Sequence, residues 1–140
     1  MGNAPKLSIG DIAQIFGMTR QAIHAKLRTQ KIESHKIGRS RYLTHNQTRL
    51  LFSTDYKKQK IAIHHIKGGV GKTTASDNIG DAANALGARV LKIDADFQKN
   101  LTLRHNISDK KIDNTPVLID LITGNGLIEE SIINISDGLD

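Results

Sequence analysis

The segment Lys67-Gly68-Gly69-Val70-Gly71-Lys72-Thr73-Thr74 constrains this chain more than any other. It lies between an apolar run, Ile61 to Ile66, and a stretch from Thr73 to Leu86 with helical character. The apolar run predicts a strand. Gly87 stops the helix, as a favoured residue just past a helix end. Arg89 to Asp94 predicts a second strand. Strand, loop, helix and strand make the β-α-β unit of a parallel sheet, with a right-handed crossover. Gly68, Gly69 and Gly71 let the backbone approach an anion closely and adopt conformations closed to other residues. Successive N–H groups of Gly68, Gly69, Val70 and Gly71, with those of Lys72, Thr73 and Thr74, then face a concave nest at a helix N-terminus. Lys72 adds a full charge for β- and γ-phosphates, and the Thr73 hydroxyl is placed to ligate Mg²⁺. The residues therefore point to a nucleoside triphosphate, ATP foremost, with Mg²⁺. A glycine-rich turn without a ligand is the plain alternative. Three glycines, two lysines and two threonines in one register, between a strand and a helix, argue against it. The standard loop opens with Gly, where this chain has Ile66.

Charge divides the chain. Residues 1–60 hold 12 Lys/Arg against 3 Asp/Glu, and residues 61–140 hold 8 against 11, so +9 faces −3. The split predicts two modules with different partners: 1–56, and 57–140. The seam is the polar stretch Ser53 to Lys60. A compact basic module attracts polyanions, because binding phosphates releases condensed counterions. The chain has no cysteine, which excludes disulfides, thiolate metal sites and cysteine catalysis. No apolar run approaches the roughly 18–20 residues of a membrane helix. No signal-peptide pattern opens it. These features predict a cytoplasmic protein without a membrane partner.

In the basic module, Ser8 is placed to cap a helix carrying Ile9, Ile12, Ala13 and Phe16 on one face. Gly17 breaks it. Thr19 caps a second helix, Arg20 to about Arg28, with Ala22, Ile23 and Leu27 turned inward. Lys36 to Leu43 predicts two short strands around a Gly38 turn. Thr44 caps a third helix through Thr48, Leu50 and Leu51. Helix, glycine turn and capped helix form a helix-turn-helix pattern whose second helix can enter a major groove. Thr19, Arg20, Gln21, His24, Lys26 and Arg28 lie at or on that helix, where Arg and Gln can read base edges and Lys can hold phosphates. Arg39 and Arg41, flanking Ser40, would contact the backbone as a wing. The plain alternative is a small basic helical cap.

Farther on, Thr115-Pro116 predicts a helix start with Val117, Leu118, Leu121 and Ile122, ended by Gly124 and Gly126. Leu127 to Ile132 predicts another short helix. Asp77 and Asp81, four apart on the helix after the glycine loop, must be solvated or paired, since burying unpaired carboxylates is costly. His64 and His65 point to opposite strand faces, which disfavours a shared metal.

Lys-Gly-Gly-x-Gly-Lys-Thr-Thr, beginning at Lys67, resembles the deviant Walker A box of the ParA/MinD family of ATPases. Asp94-Ala95-Asp96-Phe97-Gln98-Lys99-Asn100-Leu101-Thr102 resembles that family's second box, Asp-x-Asp-Pro-Gln-Gly-Asn-x-Thr, with Phe97 for Pro and Lys99 for Gly. The stretches 115–121 and 127–135 are also similar to the family's sequence. The basic module resembles MerR-type winged helix-turn-helix domains and the N-terminal domain of the longer plasmid-type ParA proteins. These resemblances imply an α/β chain: a winged helix-turn-helix domain followed by the first part of a P-loop doubly wound parallel sheet. They imply ATP and Mg²⁺ as ligands, with Lys67 reaching across an ATP-dependent homodimer to the partner's nucleotide. Lys72 would hold phosphate, Asp96 would position the attacking water, and Asp94 would lie near the metal. They further imply operator and non-specific DNA, a centromere-binding ParB-type partner, nucleoid association and repression of the protein's own operon. Family chains are longer, with a third acidic box and adenine-contacting segments, so the resemblance implies an N-terminal fragment, with ATP hydrolysis expected of the full-length form. A rival from another class is a helix-turn-helix repressor whose P-loop half only senses nucleotide or is inactive. A MinD-like or reductase-type relative is a third reading, disfavoured by the basic module.

Overall fold

The computed structural model describes residues 7–52 and 56–140. Strand β1 (Leu7–Ser8) leads directly into helix α1 (Ile9–Ile15). Ser8 caps α1 as its position predicts. Its hydroxyl accepts from the Asp11 N–H at 3.1 Å, and the Asp11 carboxylate accepts from the Ser8 N–H at 3.2 Å. That reciprocal pair satisfies two donors that a helix start would otherwise leave open. Ser8→Ala should therefore lower stability by about 1 kcal/mol, read as a fall in the urea midpoint; an unchanged midpoint would show that solvent satisfies the helix start equally well.

A turn through Gly17 (φ +62°) leads to helix α2 (Arg20–Thr29), capped by Thr19, whose hydroxyl accepts from the Ala22 N–H. Strands β2 (His35–Ile37) and β3 (Ser40–Leu43) form a hairpin. Its two-residue turn places Gly38 first at φ +60°, which costs an L-residue and not glycine. The sheet is antiparallel in the order β1-β3-β2. Helix α3 (His45–Phe52) closes the unit. Ile9, Ile12, Ala13, Ile23, Leu27, Leu43 and Leu51 make its core. Each large aliphatic residue there stabilises the fold by about 1.5–3 kcal/mol through burial. Phe16 and Phe52 stack at 3.7 Å on the edge of that core. The predicted third helix is present, with Thr48 and Leu51 buried and Leu50 on its outer face.

Helix α4 (Lys72–Ala85) follows the glycine loop within one residue of its predicted span. Short helices follow: α5 (Asn100–Leu103), α6 (Asp109–Asp113), α7 (Leu118–Thr123) and α8 (Ile128–Ser131). Helix α7 starts two residues after Pro116, because Asp120 accepts from the Val117 N–H and sets the first turn there. Gly124, at φ +77°, ends it as predicted.

The parallel sheet is where the expectation is corrected. Ile61 to Ile66 is not a paired strand; Ile61 is 67% exposed and Ile66 96%. The second predicted strand, Arg89 to Asp94, contracts to one parallel bridge, Val90 with Leu139, with hydrogen bonds from Val90 to Gly138 and from Lys92 to Asp140. A parallel strand draws its stability from ladders on its edges and helices on both faces. Segment 61–66 gains neither here, so its apolar character has nothing to drive pairing. Among the described residues after 56, the buried hydrophobics are only Ala85, Leu101, Ile112 and Leu139.

The halves meet where α3 packs on the C-terminal end of α4. The buried His45 Nδ1 lies 2.8 Å from the Asn84 carbonyl. Asn84 donates to the Asp137 carbonyl, and Arg49 donates to the Gly87 carbonyl. Gly87, predicted only as a helix stop, is also a packing residue: a Cβ there would stand 2.9 Å from the Arg49 backbone. The seam Ser53–Lys60 lies partly outside the described residues.

Candidate functional site: a glycine loop and a basic groove

The loop from Lys67 to Thr74 is exposed up to Gly71, and Gly69 and Gly71 stand at φ +72° and +85°. Gly71 is the N-cap of α4 in the left-handed conformation, and no side chain caps the helix. Its first N–H groups are therefore free to face a ligand. A Cβ at Gly68, Gly69 or Gly71 would meet no atom within 4 Å, so space in front of the loop is open. Both the donor set and the open space fit a polyphosphate.

Lys72 begins α4, and its Nζ donates to the Lys67 carbonyl at 3.2 Å, holding the ammonium against the loop's own backbone. Thr73 is half-buried in the first turn of α4. Thr74 accepts a hydrogen bond on its hydroxyl from Arg104 Nη1 at 3.1 Å. Val70 is exposed. The Lys67 side chain is also exposed, while its N–H donates to His65 Nδ1. His65 therefore shapes the loop's entry, and the described residues contain no cluster of three metal-ligating side chains.

Asp94 organises the second box. One of its oxygens accepts from both the N–H and the hydroxyl of Thr102, at 2.9 and 2.8 Å; the other accepts from the Asp96 N–H. Asp94 thus closes the loop 94–102 and anchors α5. Asp96 is exposed and accepts from the Gln98 N–H and the Asn100 side chain. Lys99 adopts φ +53°, the conformation for which the family's glycine is suited, at a cost of about 1–2 kcal/mol. Phe97 is 98% exposed. The Lys-for-Gly and Phe-for-Pro departures therefore leave a glycine-like bend at 99 and an aromatic ring in solvent.

Asp77 and Asp81 are paired, one of the two outcomes the sequence allowed. Lys92 Nζ lies 2.7 Å from Asp77 and 2.6 Å from Asp81, and its side chain is 8% exposed. His105 and Arg104 approach Asp77 at 3.2 and 3.4 Å. Sequence reasoning missed Lys92 as the partner. Its position within an apolar predicted strand was the available signal, since a buried lysine demands counter-charges.

In the basic unit the structure separates the predicted residues. His24, Arg28 and Arg41 line one groove of about 480 Å³, together with Lys31 and Glu33. Arg41 also donates to Ser34 there. Gln21 and Arg39 are exposed outside it. Thr19 spends its hydroxyl on the cap, and the Arg20 guanidinium folds over Gly10 in α1. Lys26 is engaged within the protein. Its ammonium donates to the Leu51 carbonyl at 3.2 Å and lies 5.0 Å from the Phe52 ring centre, so it fastens α2 to the end of α3. A cation at a helix C-terminus and over an aromatic face is favourable on both counts. Lys31, just past α2, is the groove cation that the pattern did not single out.

A glycine-rich loop feeding an uncapped helix, with an acidic second box, has the form of a P-loop. Residues 58–138 match the model of the AAA domain family, and the chain belongs to that family in its ParA/MinD-type P-loop form. It is 60% identical over 40 residues to the chromosome partitioning protein ParA of Caulobacter vibrioides, in two strains, covering 29% of this chain and 15% of that protein. It is 55% identical over 42 residues to the sporulation initiation inhibitor protein Soj of Bacillus subtilis, covering 30% of this chain and 17% of Soj. The match thus spans about a sixth of the length of these relatives. No solved structure matches the chain significantly. Among the described residues no helix is long and apolar enough to cross a membrane.

Proposed function

We propose that this chain is the nucleotide- and DNA-binding part of a partition ATPase of the ParA type. The observation carrying this reading is the glycine loop, with Gly69 and Gly71 left-handed and opening onto the free N-terminus of α4. Gly68 to Thr74 would cradle the phosphates through backbone N–H groups, and Lys72 would leave the Lys67 carbonyl to meet the β/γ oxygens. Mg²⁺, when bound, offsets phosphate charge; Thr73 would hold it, with Asp94 nearby. Asp96 would orient water, and Lys67 would serve the nucleotide of a second copy in an ATP-dependent dimer. A P-loop-type α/β domain belongs to this proposal; its parallel pairing is limited here to the bridge at Val90.

Residues 1–56 form the DNA-binding domain in this reading, and 57–140 the ATPase part. The exposed Gln21 and Arg39, and the groove cations Arg28 and Arg41, are the contacts to duplex DNA, both operator and non-specific, with Arg20 and His24 at its margin. A ParB-type partner and nucleoid association, supported by the likeness to ParA and Soj, and autorepression through the basic module are part of the same proposal. Binding of the whole chain to duplex DNA should weaken with salt. Arg28→Ala and Arg41→Ala should each flatten the log–log salt slope by about 1. Lys26→Ala should leave the slope unchanged and lower the urea midpoint. A salt-independent affinity would return the basic charge to a merely solvated face.

A further inference from the structure

The glycine loop ends in Thr74, and a cation that belongs to neither sequence box touches it. Arg104 lies two residues beyond the second box. The anchor that places it is Asp94, which accepts from both the N–H and the hydroxyl of Thr102 and so ties α5, which packs on α4, to the loop at 94. From the end of α5, Arg104 Nη1 donates to Thr74 Oγ1 at 3.1 Å, and Nε lies 3.4 Å from Asp77. Asp77 does not take up the whole guanidinium: its Oδ1 faces Lys92 at 2.7 Å and His105 at 3.2 Å, its Oδ2 faces Arg104 Nε, and Nη1 is left for Thr74. The arginine side chain remains 43% exposed, beside the first turn of α4.

A threonine hydroxyl has one proton and two lone pairs. When a guanidinium donates to the oxygen, the hydroxyl proton is left to be donated elsewhere. A charged donor also polarises the O–H bond, which strengthens that second hydrogen bond. We propose that Arg104 is a positioning residue of the nucleotide site, holding Thr74 as a hydroxyl donor toward a phosphate oxygen. This rests on the phosphate-loop reading above and adds to it a residue outside the loop. It also gives Asp94 a role through protein contacts alone, as the anchor of the element that carries Arg104.

The test is a double-mutant cycle read by calorimetric binding of ATP–Mg²⁺, with urea midpoints measured in parallel. Arg104→Ala and Thr74→Val should each weaken affinity about tenfold, the worth of one charge-assisted hydrogen bond. The double variant should be no weaker than Thr74→Val alone, because the arginine acts only through that hydroxyl. Arg104→Ala also removes the partner of Asp77 Oδ2, so its midpoint should fall modestly, and equally with or without Thr74→Val. An Arg104→Ala protein with wild-type affinity overturns the proposal while leaving the loop reading intact. An equal loss on Arg104→Ala in the Thr74→Val background overturns it too, because the guanidinium would then act as a direct charge. If the unaltered chain binds no ATP–Mg²⁺, the loop reading itself fails, and this proposal fails with it.

Discussion

ATP–Mg²⁺ affinity should fall about a hundredfold or more on Lys72→Ala, from the loss of charged hydrogen bonds worth about 1.5–3 kcal/mol each. The reason lies in the geometry at the start of α4. The backbone N–H groups of the loop carry only partial charges, and they share several negative charges on a triphosphate. Lys72 is the one full charge within the loop that starts a helix, and its ammonium already sits over the loop backbone at the Lys67 carbonyl. Exchanging that carbonyl for phosphate oxygens replaces a neutral acceptor by an anionic one, which roughly doubles the hydrogen-bond strength. The measurement is calorimetry on the whole chain. Unchanged affinity would remove Lys72 from the nucleotide site, and the loop assignment with it. The fold should tolerate the change, since Lys72 is half-exposed and Ala is a good helix former.

The second large effect concerns stability. Lys92→Met should destabilise the chain by about 3 kcal/mol, read as a fall in the urea midpoint. The substitution removes the ammonium that lies 2.6–2.7 Å from two carboxylates, on a side chain that is 8% exposed. Asp77, at 15% exposure, would be left with Arg104 and His105. Asp81 is 42% exposed and loses less, since water can solvate it. The cost is mainly that of an uncompensated buried charge, so removing the charges together should recover most of it. Lys92→Met with Asp77→Asn and Asp81→Asn should be closer to the parent than Lys92→Met alone. If the triple variant is the least stable of the set, the ion pairs themselves contribute net stability, and the desolvation argument is wrong.

The elements legible in the sequence are those whose signals are local. Ser8, Thr19 and Thr44 each announced a helix start, because a cap needs only a hydroxyl and the N–H two or three residues on. Gly38 and Gly124 announced a turn and a helix end, because positive φ is a property of one residue. The glycine loop was legible for the same reason, being a run of backbone conformations joined to a helix start. The hairpin around Gly38 was legible too, but the strands of the expected parallel sheet were not. Val90 pairs with Leu139, some fifty residues away, and Ile61 to Ile66 has no strand partner among the described residues. Apolar character says that a segment would gain from burial; it does not say which neighbour is there to cover it. Side-chain partners beyond the local chain were hidden likewise. Lys26 read as a free cation until the end of α3 was seen beneath it.

The sequence by itself determined helices α1 to α4, α7 and α8, the caps at Ser8 and Thr19, and the glycines at turns and helix ends. All of these depend on interactions within a few residues. Only the tertiary structure decided that Lys92 neutralises Asp77 and Asp81, that Asp94 anchors α5, and that Arg104 reaches Thr74. Those contacts join residues that are 8 to 30 apart in the chain. They exist because α4, α5 and the segment through Lys92 pack together, and a pattern along one strand or helix carries no information about that packing.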